Sequence, residues 1–454
     1  MDNSPRYLDV WFALSKLGAV EVPINTAFHG DLLADQLHHS AAKLAIVDPR
    51  YRAVVEAARG DAALGVIDRV DELFAAEAGV DRGIDVADVS AVLYTSGTTG
   101  PSKGVMLSHH QLASFGMFYS QIAGVRADDV VLNYLPHFHV AGKFLTTSCL
   151  LTGARMVLRE RLSVSGFWDD VRAEGVTNFI AVGGVCNMLA GQPVRPDDAD
   201  NPVRVVYAVP APAEIYDDFE QRFDCQLVEA YGSTESNLVL HTDPDDHLPG
   251  SCGRPNGYFD VRLLDENGQE AAEGEIVVRA KQPLLMLSGY LGMPAATERA
   301  WRGGWFHTGD RARIDADGNF WFLDRIKDAI RRRGENISSF EVERMVSAHP
   351  AVAEAAAVPT GSELGEDEVL VFVVPRAGAW IDPEDLFRFC ARTMPYFMVP
   401  RFIEPVSELV RTPTNKVAKH QLCERGVSSA TWSADAAGLR VTREGEVVSR
   451  SFGD

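Results

Sequence analysis

The feature that most restricts the fold is the stretch at residues 94–107, Y-T-S-G-T-T-G-P-S-K-G-V-M-L. Glycines (Gly97, Gly100, Gly104), hydroxyls (Thr95, Ser96, Thr98, Thr99) and a lysine (Lys103) crowd into it. Glycine lets backbone N–H groups turn onto an anion without a Cβ clash, and the hydroxyls and ammonium add donors. The preceding V-S-A-V-L-Y (89–94) is short and apolar, like a buried strand, and Ser108 with Gln111 forms a capping box that predicts a helix. Strand, glycine loop and helix is the setting a phosphate loop needs. It is not a Walker loop, because Lys103 is followed by Gly104 rather than Ser or Thr.

Helical and strand patterns alternate around this loop. Residues 7–17 read as an apolar-faced helix, and 20–24 and 44–47 as short strands. Farther on, 203–209 reads as a strand, 213–223 as a helix and 226–230 as another strand. Such alternation predicts helix-covered, mostly parallel sheets. After about Gly257 the texture changes. Residues 259–264 and 275–278 flank the turn D-E-N-G, and 312–314 and 320–323 flank Asp317-Gly318, which predicts antiparallel hairpins. A small α+β unit follows: a helix over 339–348, capped by Ser338 and Glu341, and strands at 353–358 and 369–374. Residues from about Val427 are polar and weakly patterned. At 454 residues more than one core is required. The expected organisation is an α/β chain with a large domain over 1–324, including a small β-barrel-like unit, and a small mobile α+β domain over 325–454.

A net charge of −21 argues against a nucleic-acid or anionic-membrane surface. The six cysteines are scattered without a C-x-x-C pair, which argues against a disulfide framework or structural zinc. No apolar run approaches membrane-spanning length, and M-D-N-S-P-R lacks signal-peptide form, so a cytoplasmic location is expected.

Downstream motifs accompany the loop in order: E-A-Y-G-S-T-E-S (229–236), W-F-H-T-G-D (305–310), D-R-I-K-D (324–328), R-R-R-G-E-N-I-S (331–338) and R-T-P-T-N-K-V-A-K (411–419). Together they resemble the adenylate-forming superfamily of acyl-CoA synthetases, peptide-synthetase adenylation domains and beetle luciferases. The resemblance spans nearly the whole chain and leans toward carnitine/crotonobetaine-type ligases and their fatty-acid relatives.

It implies a role for each matching residue. Thr95, Ser96, Gly97, Thr98, Thr99, Gly100 and Lys103 would hold phosphates. Val209 and Pro210 would pack against adenine, and Tyr231, after which Gly232 allows a tight turn, would offer an aromatic face. Thr234 would donate a hydroxyl, and Glu235 would hold Mg²⁺. Asp310 matches the ribose-diol acceptor and Arg325 a second ribose contact. Lys327 is the implied hinge, and Gly334 lets the small domain's loop approach closely, where Arg331–Arg333 either meet CoA phosphates or form a solvated basic patch. In P-H-F-H-V-A-G (136–142), His139 rather than His137 matches the histidine beside the substrate carboxylate. Lys416 matches the lysine bridging acyl carboxylate and α-phosphate, and Lys419 is its rival.

The implied activity is ATP-dependent, AMP-forming activation of a carboxylic acid followed by transfer to CoA. The alternatives are loading of a carrier protein, or non-catalytic nucleotide binding. The chain begins where relatives carry a further helix–strand portion upstream, so a truncated N-terminus is expected.

Overall fold

A computed structural model describes residues 1–73, 83–95, 102–182, 185–209, 211, 213–246, 248–265, 267–325, 329–332, 334–361, 365–410, 417 and 419–449. Its central sheet has seven strands in the order Arg254–Pro255, Asn237–His241, Gln226–Ser233, Val205–Val209, Asn178–Val182, Val130–Asn133, Arg155–Leu158. From Gln226–Ser233 to Arg155–Leu158 the pairings are parallel, and the first two strands are antiparallel additions. These parallel strands are continuous apolar runs, as strands covered on both faces must be. Helix His109–Ile122 packs beside Val140–Thr152 on one face, burying Phe115, Phe118 and Tyr119 with Phe144 and Tyr207 in one core. Phe167–Glu174 and Tyr216–Phe223 close the other face through Trp168, Phe219 and Phe223. The antiparallel unit is a five-stranded sheet of Phe259–Leu264, Glu273–Ala280, Trp305–Ile314, Trp301–Arg302 and Phe320–Arg325.

Two local expectations are corrected. Residues 103–108 do not run from the glycine loop into a helix: Lys103–Ser108 is a strand returning antiparallel on Val89–Thr95, with Thr95 opposite Lys103. The helix capped by Ser108, whose Oγ accepts from Gln111 N at 3.1 Å, therefore starts a whole strand later. Residues 20–24 form no strand, only a single bridge between Glu21 and Ala91, because buried Glu21 turns its carboxylate to the fully buried ammonium of Lys143. Residues 428–449, which the sequence leaves without a predicted element, carry short strands. Trp432–Ser433 adds a strand to the small domain's sheet, and Leu439–Val441 pairs with Val447–Ser449. Their apolar positions are too few and too widely spaced to show a period, but Trp432 and Leu439 are anchored by the core of the small domain.

After the five-stranded sheet comes a hairpin, Ala329–Arg332 on Glu335–Ser338. Helices Ser339–Ser347 and Pro383–Thr393 follow, with a four-stranded sheet of Val352–Gly361, Asp367–Pro375, Phe402–Pro405 and Trp432–Ser433. The helix Ser339–Ser347 has Glu341 in its first turn, but that carboxylate also reaches outward and accepts from Ser102 Oγ at 2.6 Å, beside the glycine loop.

Candidate active site

One cavity of about 1770 Å³ lies between the large domain and the small one. Thr95, Lys103, Val209, Gly232, Thr234, Glu235, Asp310, His139 and Gly334 all line it. Residues drawn from segments more than two hundred positions apart therefore share one chamber.

Its polar end is built on sheet termini. Lys103 sits with its ammonium 4.7 Å from the centre of the Tyr290 ring, and the Tyr290 hydroxyl bonds Glu235 Oε1 at 3.2 Å. The turn carrying Thr234 and Glu235 is held from below. Buried Gln111 donates to the carbonyls of Thr234 (3.1 Å) and Glu235 (3.3 Å), and Leu287 N donates to the latter at 2.8 Å. Gly232 is obligatory there, since a Cβ would stand 2.1 Å from the Asn237 carbonyl oxygen. Tyr231 donates its hydroxyl to Asp310 Oδ2 at 2.7 Å, which orients that carboxylate. Asp310 is directly opposite Arg325 in the strand register. Its backbone N–H is tied to Thr308 Oγ1 at 3.1 Å, so both backbone and side chain are fixed.

Beneath this end lies Glu229, which sequence inspection did not single out. It is 5% exposed, and its carboxylate accepts from Ala211 N at 3.2 Å. Burial pushes the carboxyl up to about 8, opposed by the Ala211 N–H and by the charge of Arg331, so at neutral pH it is largely an uncharged acid. An acidic residue inside the apolar run Q-L-V-E-A-Y was the available signal.

The middle of the cavity is apolar and aromatic, with Phe115, Phe144, Ile180, Val182, Tyr207 and Leu238 on its wall. His139 stands beside it, and its Nε2 meets Glu335 Oε2 of the small-domain hairpin at 2.9 Å. Burial alone would lower the imidazole's pKa, but the Glu335 carboxylate outweighs it and raises it. His137, by contrast, is a satisfied core residue between Asn3 Oδ1 (2.8 Å) and Thr146 Oγ1 (2.9 Å), and burial pushes it down to about 3.

Arg331 donates to the Val209 carbonyl at 2.9 Å on the cavity wall. Arg332 is buried; it donates to the carbonyls of Phe397 (3.1 Å) and Val399 (2.7 Å) and pairs with Glu368. Arg331 also lines the cavity, whereas Arg332 is held inside the fold. Gly334 is required by its φ of +77° in the hairpin turn; a Cβ there would come no closer than 4.0 Å to Val182.

Ser96, Gly97, Thr98, Thr99, Gly100, Pro210, Lys327, Arg333 and Lys416 lie outside the described residues. Val417, next to Lys416, packs with Ala356, Val358, Leu370 and Phe372, none of which lines the cavity. Lys419 is committed within the small domain, to Ser339 Oγ at 2.7 Å and Glu343 Oε1 at 2.6 Å. Among the described residues no group of three or more His, Cys, Asp or Glu is placed to hold a metal, and no helix is long and apolar enough to cross a membrane.

Residues 1–291 match the AMP-binding enzyme family, and residues 341–416 match the AMP-binding enzyme C-terminal domain. The chain belongs to that family. Crotonobetaine/carnitine–CoA ligases of Proteus mirabilis and Salmonella typhi are each 30% identical to it, across 93% of this chain and 87% of theirs. Among solved structures, an o-succinylbenzoate CoA synthetase from Bacillus subtilis with a product analogue superposes at a TM-score of 0.82. It is 25% identical, covering 94% of this chain and 87% of that one. A malonyl-CoA ligase with methylmalonyl-CoA and AMP bound gives 0.79 at 26% identity, covering 90% and 89%. ATP-bound MatB from Rhodopseudomonas palustris gives 0.67 at 27% identity, covering 94% and 87%.

Proposed function

We infer that the protein is an AMP-forming acid–thiol ligase that activates a carboxylic acid with ATP and transfers the acyl group to CoA. The observation that carries this is the single cavity. It joins Lys103, Thr234, Glu235 and Asp310 at a polar end to an aromatic pocket, with the small-domain residues Gly334 and Glu335 closing over both. In the first step a carboxylate oxygen attacks the α-phosphorus and pyrophosphate leaves. In the second the thiol sulfur attacks the acyl carbon and AMP leaves. The chain's contribution to both is positioning and charge neutralisation.

Lys103 and the hydroxyls of 95–99 take the phosphates, and Asp310, oriented by Tyr231, takes the ribose hydroxyls together with Arg325. Val209, Pro210 and Tyr231 flank the adenine. A nucleotide-bound Mg²⁺ needs one or two carboxylates and completes its shell from phosphates and water, so the lone carboxylate of Glu235 suits it. When bound, the ion neutralises developing phosphate charge. His139 lies beside the acyl carboxylate, and the aromatic wall favours an acid with an apolar chain or ring.

The domain boundary falls between 324 and 325, just before Arg325, the strand partner of Asp310, with Lys327 as the hinge. The arrangement described here fits the thioester step. Gly334 and Glu335 line the cavity, while Val417, beside Lys416, packs elsewhere. The higher TM-scores against the two complexes with CoA products (0.82, 0.79) than against ATP-bound MatB (0.67) and apo MatB (0.66) support that reading. Lys416 then serves the adenylation step from a second orientation. ATP and CoA as co-substrates suit work in the cytoplasm.

The test is a panel of carboxylic acids graded in apolar size, scored for pyrophosphate and AMP, then for thioester by mass. ADP as product refutes the chemistry. Pyrophosphate release with no CoA thioester points instead to a carrier-protein acceptor.

A further inference from the structure

Phe115, Phe144, Ile180, Val182 and Leu238 give the middle of the cavity no polar side-chain atom, and Tyr207, on the same wall, brings in one hydroxyl. That hydroxyl is the exception among the buried tyrosines. Tyr216, Tyr231 and Tyr290 donate to the Leu227 carbonyl (2.7 Å), Asp310 Oδ2 (2.7 Å) and Glu235 Oε1 (3.2 Å). Tyr119 and Tyr134 donate to the Asn178 side chain and the Ile180 carbonyl. Tyr207 is 2% exposed, and among the described residues its hydroxyl has no hydrogen-bond partner. A buried phenol normally finds a partner, and one left without forfeits the bond it made to water in the unfolded chain. The ring is held edge-on, with its centroid 5.3 Å from that of Tyr119 and 6.3 Å from that of Phe144, at interplanar angles of 67° and 68°. Its donor is thus fixed before a ligand arrives. Tyr207 precedes Val209 by two positions on one strand, opposite Ile180 as Val209 is opposite Val182. It therefore faces the same way, about 7 Å farther along the wall. Burial raises the phenol's pKa above its ordinary value, so it keeps its proton.

We propose that Tyr207 selects the acid: its hydroxyl donates to a neutral oxygen acceptor, a carbonyl or ether oxygen, carried on the substrate's chain or ring away from the reacting carboxylate. The proposal rests on the ligase reading above and narrows its acid from one with an apolar tail to one whose tail carries an acceptor. A wholly apolar tail fills the pocket but leaves the phenol unpaired, at the full cost of a desolvated donor. A second carboxylate would have to be stripped of water among Phe115, Phe144 and Ile180, and Lys143, one residue before Phe144, is already committed to Glu21 Oε2 at 2.5 Å. A neutral acceptor completes the phenol's bonding without that charge penalty.

Size-matched pairs of acids test this: alkyl acids against analogues with a carbonyl in place of one methylene, at successive positions, and ethyl-substituted aryl acids against their methoxy analogues. Calorimetry of the full chain with AMP present reads binding, and pyrophosphate release reads turnover. At the best-placed oxygen the wild type should favour the oxygenated member by about tenfold, the scale of a hydrogen bond whose loss leaves a buried donor unpaired. Tyr207→Phe keeps the ring and its edge contacts and should abolish the preference, chiefly by weakening the oxygenated acid. Without ligand the same variant should melt at or above the wild-type Tm, since the hydroxyl it removes has no bond within the chain to lose. Tyr119→Phe gives up the bond to Asn178 and should melt lower while keeping the preference. Equal handling of both members of every pair, neither binding nor turnover with any of them, a preference that survives Tyr207→Phe, or a Tm lowered by that substitution overturns the proposal. A Tyr207-dependent preference in binding without pyrophosphate release overturns the ligase reading instead and leaves the pocket assignment standing.

Discussion

Glu229 offers the most searching physical test of the site. Its carboxyl is raised from 4.5 to about 8, mainly by burial, so the folded state holds a proton that the unfolded chain releases. Between those two values the native state binds more protons than the unfolded state, and stability must fall as pH rises. At about 1.4 kcal/mol per pKa unit, the cost is about 3 kcal/mol at pH 7 and about 5 kcal/mol above pH 8. Local relaxation and water entry make both upper bounds. Glu229→Gln keeps an oxygen to accept from Ala211 N but has nothing to ionise. The variant should match the wild type near pH 4.5 and exceed it by a margin that widens through pH 7 and levels off above pH 8. His137 titrates with the opposite sign, because burial pushes it down to about 3 and its contribution is lost as pH falls from 6.5. Comparing the two proteins at each pH cancels that contribution. Urea denaturation followed by tryptophan fluorescence from pH 4.5 to 8.5 measures the margin. Difference infrared spectra should show a protonated carboxyl stretch at pH 7 that the variant lacks. A margin independent of pH would mean that Glu229 ionises normally, and the burial argument would fail.

Glu235→Ala should abolish pyrophosphate release while leaving the circular dichroism spectrum unchanged, since loss of a metal carboxylate costs several kcal/mol (~3–5) of transition-state stabilisation; wild-type turnover would refute the assignment. Asp310→Ala should raise the ATP KM more than it lowers kcat, because a ribose contact is made in ground and transition states alike. Lys416→Ala should cut acyl-adenylate formation by orders of magnitude yet spare thioester formation from supplied acyl-adenylate and CoA; equal damage to both half-reactions would remove the two-orientation reading. Lys419→Ala should instead lower stability by about 1–2 kcal/mol through its lost bonds to Ser339 and Glu343, with adenylation retained.

Local chemistry was legible in the sequence. The glycine- and hydroxyl-rich loop, Y-G-S-T-E, T-G-D and the late lysine motif named a reaction class because each needs particular donors at short spacing, and short spacing survives any fold. The parallel strands were legible for the same reason: Val205–Val209 and Gln226–Ser233 are apolar enough to demand cover on both faces. What the sequence could not supply was every decision that depends on what arrives from elsewhere in the chain. Lys103–Ser108 became a strand because Val89–Thr95 and Gly289–Tyr290 offered ladder partners on either side. Glu229 acquired its shifted titration from a strand interior. Arg331 and Arg332, indistinguishable from a solvated basic run, were claimed by carbonyls 122 and 65 positions away. Arg443, in a tail without visible period, reached the cavity wall only because Trp432 and Leu439 anchor that tail in the small-domain core. Short-range pattern determined which chemistry the chain carries. Long-range packing, which no local window contains, decided which charges are left to meet a substrate.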